Sequence, residues 1–544
     1  MKQYAILGLV PADARRQGGW IVAGVLLRAL LDFAGVAALL AILLLLLRED
    51  VHKHYIGMVA LGGIVFMALK NGLAIWLDRR QSRYLLSLYK TFSARMLRTY
   101  YRNGLLFVRE TGVSALTHEV NYVCYAFVLQ VLAPLLRMVG EGVVLLLLVG
   151  ALAVYSPAMM LLLACCFIPA GWVYMRLMRR RLETYGSEEN RAKRRQWQIV
   201  QELFRGYTEV ETNQAYETLR RRFDAGLDEI SHSRQQVETL QRLPAALIET
   251  GMAVALLVLV LTGGEGNTLT VTLGVFGVAA FRILPGIRSL LGGWMQLRNN
   301  AYTVDILTTA LSETENTEET STASLRFTGE LRAEHLSFAY NEAEGTIIND
   351  FSFCIRRGER VGIQGASGIG KSTLFNLLLG FFPASSGKIS VDGVALTATN
   401  RPAWHRIVGY VPQEVFILGG TLAENIALGQ TPEATYRDRL LRVLEQVRLT
   451  KWLHSLPNGL DTLLGESGCR LSGGQRQRIG IARALYKGAE ILFFDEATSA
   501  LDRQTEEEVI QVINDLSTAN REWTLLMIAH RESSLRVCDR IITL

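Results

Sequence analysis

Six apolar stretches dominate the first three hundred positions, near Gly19 to Leu47, Tyr55 to Leu77, Tyr125 to Tyr155, Ala158 to Met178, Pro244 to Leu261 and Leu269 to Leu291. Each reaches or approaches the roughly 20 residues that a helix needs to cross hydrocarbon, so the pattern predicts six crossings of a lipid bilayer. Polar helical stretches separate the second span from the third (Arg79, Arg80, Arg83, Lys90, Arg95, Arg98, Arg102) and the fourth from the fifth (Arg179, Arg180, Arg181, Arg191, Lys193, Arg194, Arg195). Positive charge is retained on the cytoplasmic side, which places both stretches and the N-terminus inside. The opposite connections, Arg48 to His54, Ser156 to Pro157 and Thr262 to Thr268, are short and carry little positive charge. Leu, Phe and Tyr keep a helical period through the cytoplasmic flanks. The spans are therefore expected to run on into the cytosol and turn at Glu110 to His118 and near Gly206 to Tyr216, where the tips are natural docking points for a soluble module.

An ionisable side chain at mid-bilayer costs on the order of 3 kcal/mol, so the charges inside the spans need an account. Arg28 with Asp32, and Arg137 with Glu141, are four apart and share a helix face, where each pair is expected to neutralise itself. Glu249, Arg282 and Arg288 stand as singles. They either line a polar route for a charged or amphipathic cargo or neutralise one another within the bundle.

The chain is 50% hydrophobic with a mean hydropathy of +0.21, and the apolar excess lies before Trp294. Glu313 to Ser324 is polar and acidic with no apolar period, which reads as a flexible connector. The expected layout is a membrane domain over residues 1–312, a linker over 313–324 and a soluble domain over 325–544. The net charge of +6 comes from residues flanking the spans, as membrane orientation requires, and nucleic acid is excluded as a partner. Cys124, Cys165, Cys166, Cys354, Cys469 and Cys538 show no metal or CxxC spacing and read as reduced thiols. Met1 to Gln17 is too polar, and the first apolar run too long, for a cleavable signal.

From Leu325 the chain alternates as short strands, including Arg332 to Ser337 and Phe351 to Ile355, before a strand at Arg360 to Gln364. That strand leads into Gly365-Ala366-Ser367-Gly368-Ile369-Gly370-Lys371-Ser372, followed by Thr373 and a helical pattern. In GxxxxGK[ST] the glycines let successive N–H groups curl around phosphate, the lysine reaches the outer phosphates and the serine offers a hydroxyl to Mg2+. The apolar run Ile491 to Phe494 delivers Asp495 toward the metal and Glu496 beside it, where a carboxylate polarises an attacking water. Leu471-Ser472-Gly473-Gly474-Gln475 opens a further helix, so Ser472 and the two glycine amides form a second anion cradle.

These motifs, in this order behind six spans, resemble the ATP-binding cassette (ABC) family, and specifically its exporter-type half-transporters. The resemblance covers Arg332 to Leu544 by motif and the preceding half by topology. It implies an all-α six-helix transmembrane domain followed by an α/β P-loop nucleotide-binding domain, with ATP and Mg2+ as cofactors. It also implies a dimer in which the Ser472 cradle of one subunit closes on ATP held by the other. By the same resemblance Tyr340 stacks on adenine, Gln413 links the metal to the membrane helices, His530 touches the terminal phosphate and Asp502 belongs to the loop crossing the interface. Glu466 is similar to the residue that senses the helix tips. Family members usually continue beyond Ile541 to Leu544, so the end is expected to be short of the family pattern. The implied activity is ATP-driven export or flipping of a hydrophobic or amphipathic small molecule, lipid or peptide across a bacterial inner membrane, by a homodimer or a heterodimer with a second half-transporter. Uptake of a siderophore-like cargo through the same architecture, and an ATP-regulated channel, are the alternatives.

Overall fold

The computed structural model describes residues 8–46, 53–262, 267–312, 325–340, 345–366, 368–430, 435–465, 468, 471–497, 501–529 and 531–544. The chain divides into two compact units, Met1–Asn316 and Thr317–Leu544. The expected linker lies outside the described residues.

In the first unit six helices are long and apolar enough to cross a membrane, among the described residues: Ala12–Ile42, Gly57–Arg102, Val113–Tyr155, Pro157–Arg205, Tyr216–Leu261 and Leu273–Asn299, here spans 1 to 6. Four of them exceed 40 residues, about 60 Å at 1.5 Å per residue, twice what hydrocarbon requires. Helices of this length outreach the hydrocarbon layer. The first tip turns at Gly112, whose φ of 83° suits a residue without a Cβ, between helix Gly104–Thr111 and span 3. The second passes from Gly206 through helix Tyr207–Thr212 to Gln214. Spans 3 and 4 are joined by a tight turn in which the Ser156 hydroxyl accepts from the Met159 amide and Pro157 starts the helix.

Near its Val113 end span 3 is π-helical at Glu119–Val123 and Val128–Leu132. There Phe92 and Met96 of span 2 pack with Phe127 and Val131 of span 3, and with Val304 and Leu307 of helix Ala301–Ser312. A second core, including Val144, Leu148, Leu163, Ala255 and Phe276, joins spans 3 to 6. Spans 4 and 6 touch backbone to backbone at Gly186, where an added Cβ would lie 1.7 Å from the Asn299 carbonyl oxygen.

Of the two pairs expected within one helix, Arg28 with Asp32 forms and Arg137 with Glu141 does not. Arg28 keeps the expected ion pair with Asp32, at 3.9 Å, and also reaches Asp78 of span 2. Asp32 accepts from Lys70 of span 2 at 2.9 Å and lies 3.6 Å from Arg282 of span 6. Glu141 is 3.1 Å from Arg282 rather than paired with Arg137, and Glu249 of span 5 pairs with Arg288 of span 6. Most of the neutralisation runs between helices, at shorter distances than the 3.9 Å pair within span 1.

The second unit holds two sheets. Strands β1 (Glu330–Phe338), β2 (Ile348–Arg356), β4 (Ser386–Val391) and β5 (Val394–Ala395) form an antiparallel sheet in the order β2-β1-β4-β5. Strands β3 (Arg360–Gln364), β6 (Val408–Val411), β7 (Ile491–Asp495), β8 (Thr524–Ile528) and β9 (Arg540–Thr543) form a parallel sheet in the order β6-β7-β8-β3-β9. All five residues of β7 and of β8 are buried, as expected for parallel strands covered on both faces. Because the strands are parallel, the residues after β3, β7 and β6 emerge at one edge of the sheet.

Candidate nucleotide site

The Gly365 to Ser372 loop joins β3 to helix Lys371–Leu378. Gly368 and Gly370 have φ of +83° and +106°, and a Cβ at Gly370 would meet Ile347 Cγ2 at 2.6 Å. Both glycines are required by conformation, and the second by space as well. Lys371 is buried at 4% exposure, and its Nζ donates to the carbonyls of Gly365 and Ala366, each at 3.0 Å. The lysine thus already bends back over the loop whose amides would cradle phosphate. Gly365 and Ile369 lie against one another, and Thr373 on the next helical turn meets the Tyr340 hydroxyl at 3.1 Å. The Tyr340 ring stands edge-on to Phe382 and Phe338, which brings an aromatic side chain beside the loop. Ser367 lies outside the described residues.

Asp495 ends β7 with its carboxylate nearly buried. It accepts from the Ser372 hydroxyl at 3.2 Å and from the Tyr410 hydroxyl of β6 at 3.2 Å. Burial pushes the Asp495 carboxyl above its ordinary range, with Glu496 adding in the same sense, while the two hydroxyls and Lys371 oppose. A hydroxyl and a carboxylate that converge, with the carboxylate lacking a full cationic partner, suit a hard divalent cation. No group of three or more His, Cys, Asp or Glu among the described residues could hold a metal by itself. That fits Mg2+, which is held by one or two protein oxygens together with phosphate and water.

Glu496 follows at φ 49°, left-handed for a non-glycine residue. Its amide donates to the Ile528 carbonyl of β8 at 3.0 Å, which fixes the turn. Gln413 is exposed on the loop after β6, and its carbonyl accepts from Gln477 Nε2 at 2.6 Å.

Ser472 caps helix Gly473–Lys487 through a reciprocal box: its hydroxyl accepts from the Gln475 amide at 3.2 Å, and the Gln475 side chain accepts from the Ser472 amide at 2.9 Å. Ser472 and Gly473 are exposed, whereas Gly474 is buried with no room for a Cβ beside Thr505. The first turn of this helix is thus open to solvent on one side and packed on the other. Asp502 caps helix Arg503–Ala519 by accepting from the Thr505 amide at 3.0 Å, and the Thr505 hydroxyl, followed by that amide, holds its carboxyl below the usual range. His530 and Glu466 lie outside the described residues.

Three anchors had no sequence signal. Gln477, only 5% exposed, ties the Gly473–Lys487 helix to the Gln413 loop. Glu506, 2% exposed, accepts from Ser534 at 2.8 Å and pairs with Arg531, clamping helix Arg503–Ala519 to the segment after β8. Arg483 donates to Asn425 Oδ1 at 2.9 Å and to the Phe416 carbonyl, and burial pulls its pKa down to about 10. Each joins residues 25 or more apart in sequence, beyond any local pattern.

Residues 348–499 match the family described as ABC transporter. An ATP-dependent lipid A-core flippase of Burkholderia thailandensis is 32% identical over 501 residues, covering 88% of this chain and 81% of that protein. The chain belongs to the ABC transporter family. A second lipid A-core flippase, from Ralstonia nicotianae, is 30% identical over 486 residues, 87% of this chain and 79% of that protein. The ATP-binding protein YwjA of Bacillus subtilis, an uncharacterized ABC transporter, is 41% identical over 214 residues, 39% of this chain and 36% of that protein. The solved structure of a bacterial Atm1-family ABC exporter with ATP bound superimposes with a TM-score of 0.82 at 21% identity, over 96% of this chain and 93% of that one, which establishes the fold. This ABC transporter is therefore a multi-pass membrane protein with an α-helical six-span unit and an α/β ATP-binding unit, and it couples ATP hydrolysis to transport.

Proposed function

We propose that this transporter is an exporter-type half-transporter of a cell inner membrane, with its ATP-binding unit in the cytoplasm, that moves an amphipathic cargo such as a lipid conjugate. The similarity to lipid A-core flippases along most of the chain supports a lipid-like cargo and outward movement. Every motif residue needed for hydrolysis is present in one chain, which supports a homodimer with two working sites; pairing with a different half-transporter stays the second arrangement.

The observation that carries the reading is the meeting of Ser372 and Asp495 beside Glu496. In the roles assigned here, Gly365 to Thr373 and Lys371 hold the triphosphate and Tyr340 lies on the base. Ser372, Asp495 and Gln413 hold Mg2+, which when bound neutralises charge on the phosphates. Glu496 orients and deprotonates the attacking water, and His530 contacts the outermost phosphate. Ser472, Gly473, Gly474 and Gln475 present open helix-terminal amides to nucleotide on the opposing subunit, with Asp502 at the same face.

Two measurements on the full chain in proteoliposomes test this. Glu496→Gln is expected to lower ATP turnover at least a hundred-fold, about 2.7 kcal/mol, while retaining ATP binding, and to stop ATP-dependent movement of a fluorescent lipid between leaflets. Turnover within a few-fold of wild type removes Glu496 from the chemistry. Hydrolysis without any movement of lipid removes the cargo assignment.

A further inference from the structure

The Asp495 carboxylate turns its two oxygens to two different hydroxyls. Ser372, in the first turn of helix Lys371–Leu378, donates to Oδ1 at 3.2 Å, and Tyr410 of β6 donates to Oδ2 at 3.2 Å. The strands dictate the second contact. β6 and β7 are parallel neighbours with Tyr410 opposite Phe493, and alternate residues of a strand point to one face, so Tyr410, Phe493 and Asp495 share a face of the sheet. Helix Lys371–Leu378 covers that face, where Phe375 stands edge-on to Phe493 at 5.2 Å. A phenol at position 410 reaches past Phe493 to the end of β7, and an aliphatic side chain there would bring no donor.

The terminal torsion of an aspartate is broad, so a single hydroxyl leaves the carboxylate free to rock. Donors on both oxygens fix its plane. Mg2+ demands near-ideal octahedral geometry, and the hydrogen-bond partners behind a ligating carboxylate typically carry roughly 10–100-fold of metal affinity. The Tyr410 hydroxyl is neutral. It orients the carboxylate without cancelling the charge that a cation needs, as a lysine or arginine would. The chain also leaves β6 directly into Gln413, whose carbonyl is held by Gln477 at 2.6 Å. One strand therefore orients the Asp495 carboxylate and delivers Gln413.

We propose that Tyr410 is a positioning residue for the metal, its hydroxyl holding the Asp495 carboxylate in the plane in which Asp495, Ser372 and Gln413 take up Mg2+. The proposal rests on the assignment of Asp495 to the metal and adds the residue that orients it.

The test uses the full chain in nanodiscs and reads the affinity of a fluorescent, non-hydrolysable ATP analogue, mant-AMP-PNP, in saturating Mg2+ and in EDTA. By linkage, the ratio of the two affinities is the tightening that bound metal supplies. Tyr410→Phe removes one oxygen and keeps the ring. It is expected to cut that ratio about ten-fold while the affinity in EDTA stays within about two-fold of wild type. The Mg2+ concentration that half-saturates ATP turnover should rise by a similar factor. Asp495→Asn should lose most of the tightening, and adding Tyr410→Phe to it should change nothing further. An unchanged ratio in Tyr410→Phe, with Asp495→Asn impaired, overturns the proposal and spares the metal site. Equal falls in Mg2+ and in EDTA also overturn it, since a general loss of structure lowers both. So does a full Tyr410→Phe effect on the Asp495→Asn background, because the hydroxyl would then act through another group. An Asp495→Asn protein with the wild-type ratio removes Asp495 from the metal, and the proposal with it.

Discussion

Gly474 occupies a position where a methyl group has no room, and this gives a sharp test of why the Leu471 to Gln475 segment needs its second glycine. A Cβ there would lie 2.3 Å from Thr505 Cγ2, whereas carbon atoms rest at about 3.5–4.0 Å. Gly474→Ala must push helix Gly473–Lys487 from helix Arg503–Ala519 by more than about 1 Å, or twist Thr505 off its rotamer. Overpacking of this kind costs about 1–3 kcal/mol. Taking about 2 kcal/mol, the thermal transition of the ATP-binding unit should fall by roughly 4–8 °C, and ATP turnover should drop because the Ser472 turn moves with the helix. Thr505→Ser removes the colliding methyl and keeps the hydroxyl, so the double variant should recover most of the lost stability. The assay is a double-mutant cycle on melting temperature and urea midpoint, with an expected coupling of at least about 1 kcal/mol. Strict additivity, or a Gly474→Ala protein as stable as wild type, refutes the packing argument and leaves the glycine to nucleotide approach alone.

Two further perturbations follow from the geometry. Burial raises the Asp495 carboxyl above its ordinary 3.8, so the folded state is penalised once that group ionises, and stability falls as pH rises from about 3.8 through the folded pKa. Asp495→Asn should therefore be more stable than wild type at pH 7 without nucleotide, by on the order of 1 kcal/mol, with the gap closing near pH 4; equal urea midpoints at both pH values contradict this. Arg282 lies 3.1 Å from Glu141 and 3.6 Å from Asp32, which also keeps Lys70 at 2.9 Å, so Arg282→Ala strands the Glu141 carboxylate in the membrane unit and should cost about 3–5 kcal/mol. Adding Glu141→Gln should restore part of it in a detergent melting series, and a wild-type melting temperature for Arg282→Ala refutes the network.

The spans were legible because hydropathy over some twenty residues is a local property, and the Gly112 turn because glycine at a break in periodicity marks a reversal. The loop around Lys371, the Asp495-Glu496 pair and the Ser472 helix start were legible for the same reason: each motif is contiguous and its chemistry follows from spacing. Pairings between helices were not. Glu141 meets Arg282 across 141 residues of chain, a contact set by helix packing, so the expected bond to Arg137 failed. Gln477 and Glu506 were invisible likewise, since a buried polar residue on an amphipathic helix looks in sequence like one facing water. The glycine at 474 was read as a phosphate contact alone, and only the three-dimensional neighbour Thr505 reveals its second duty.

Glu496 carries a conformation that glycine or asparagine would adopt with less strain. Holding an acid at that angle costs on the order of 1 kcal/mol, a penalty that the Ile528 tether absorbs. A duplicated copy of this cassette relieved of hydrolytic duty would feel no opposing selection, so drift toward a smaller residue at this point would make it sturdier as it became inert. Asymmetric pairs with one silent site are therefore downhill from this backbone, and position 496 is where their divergence should begin.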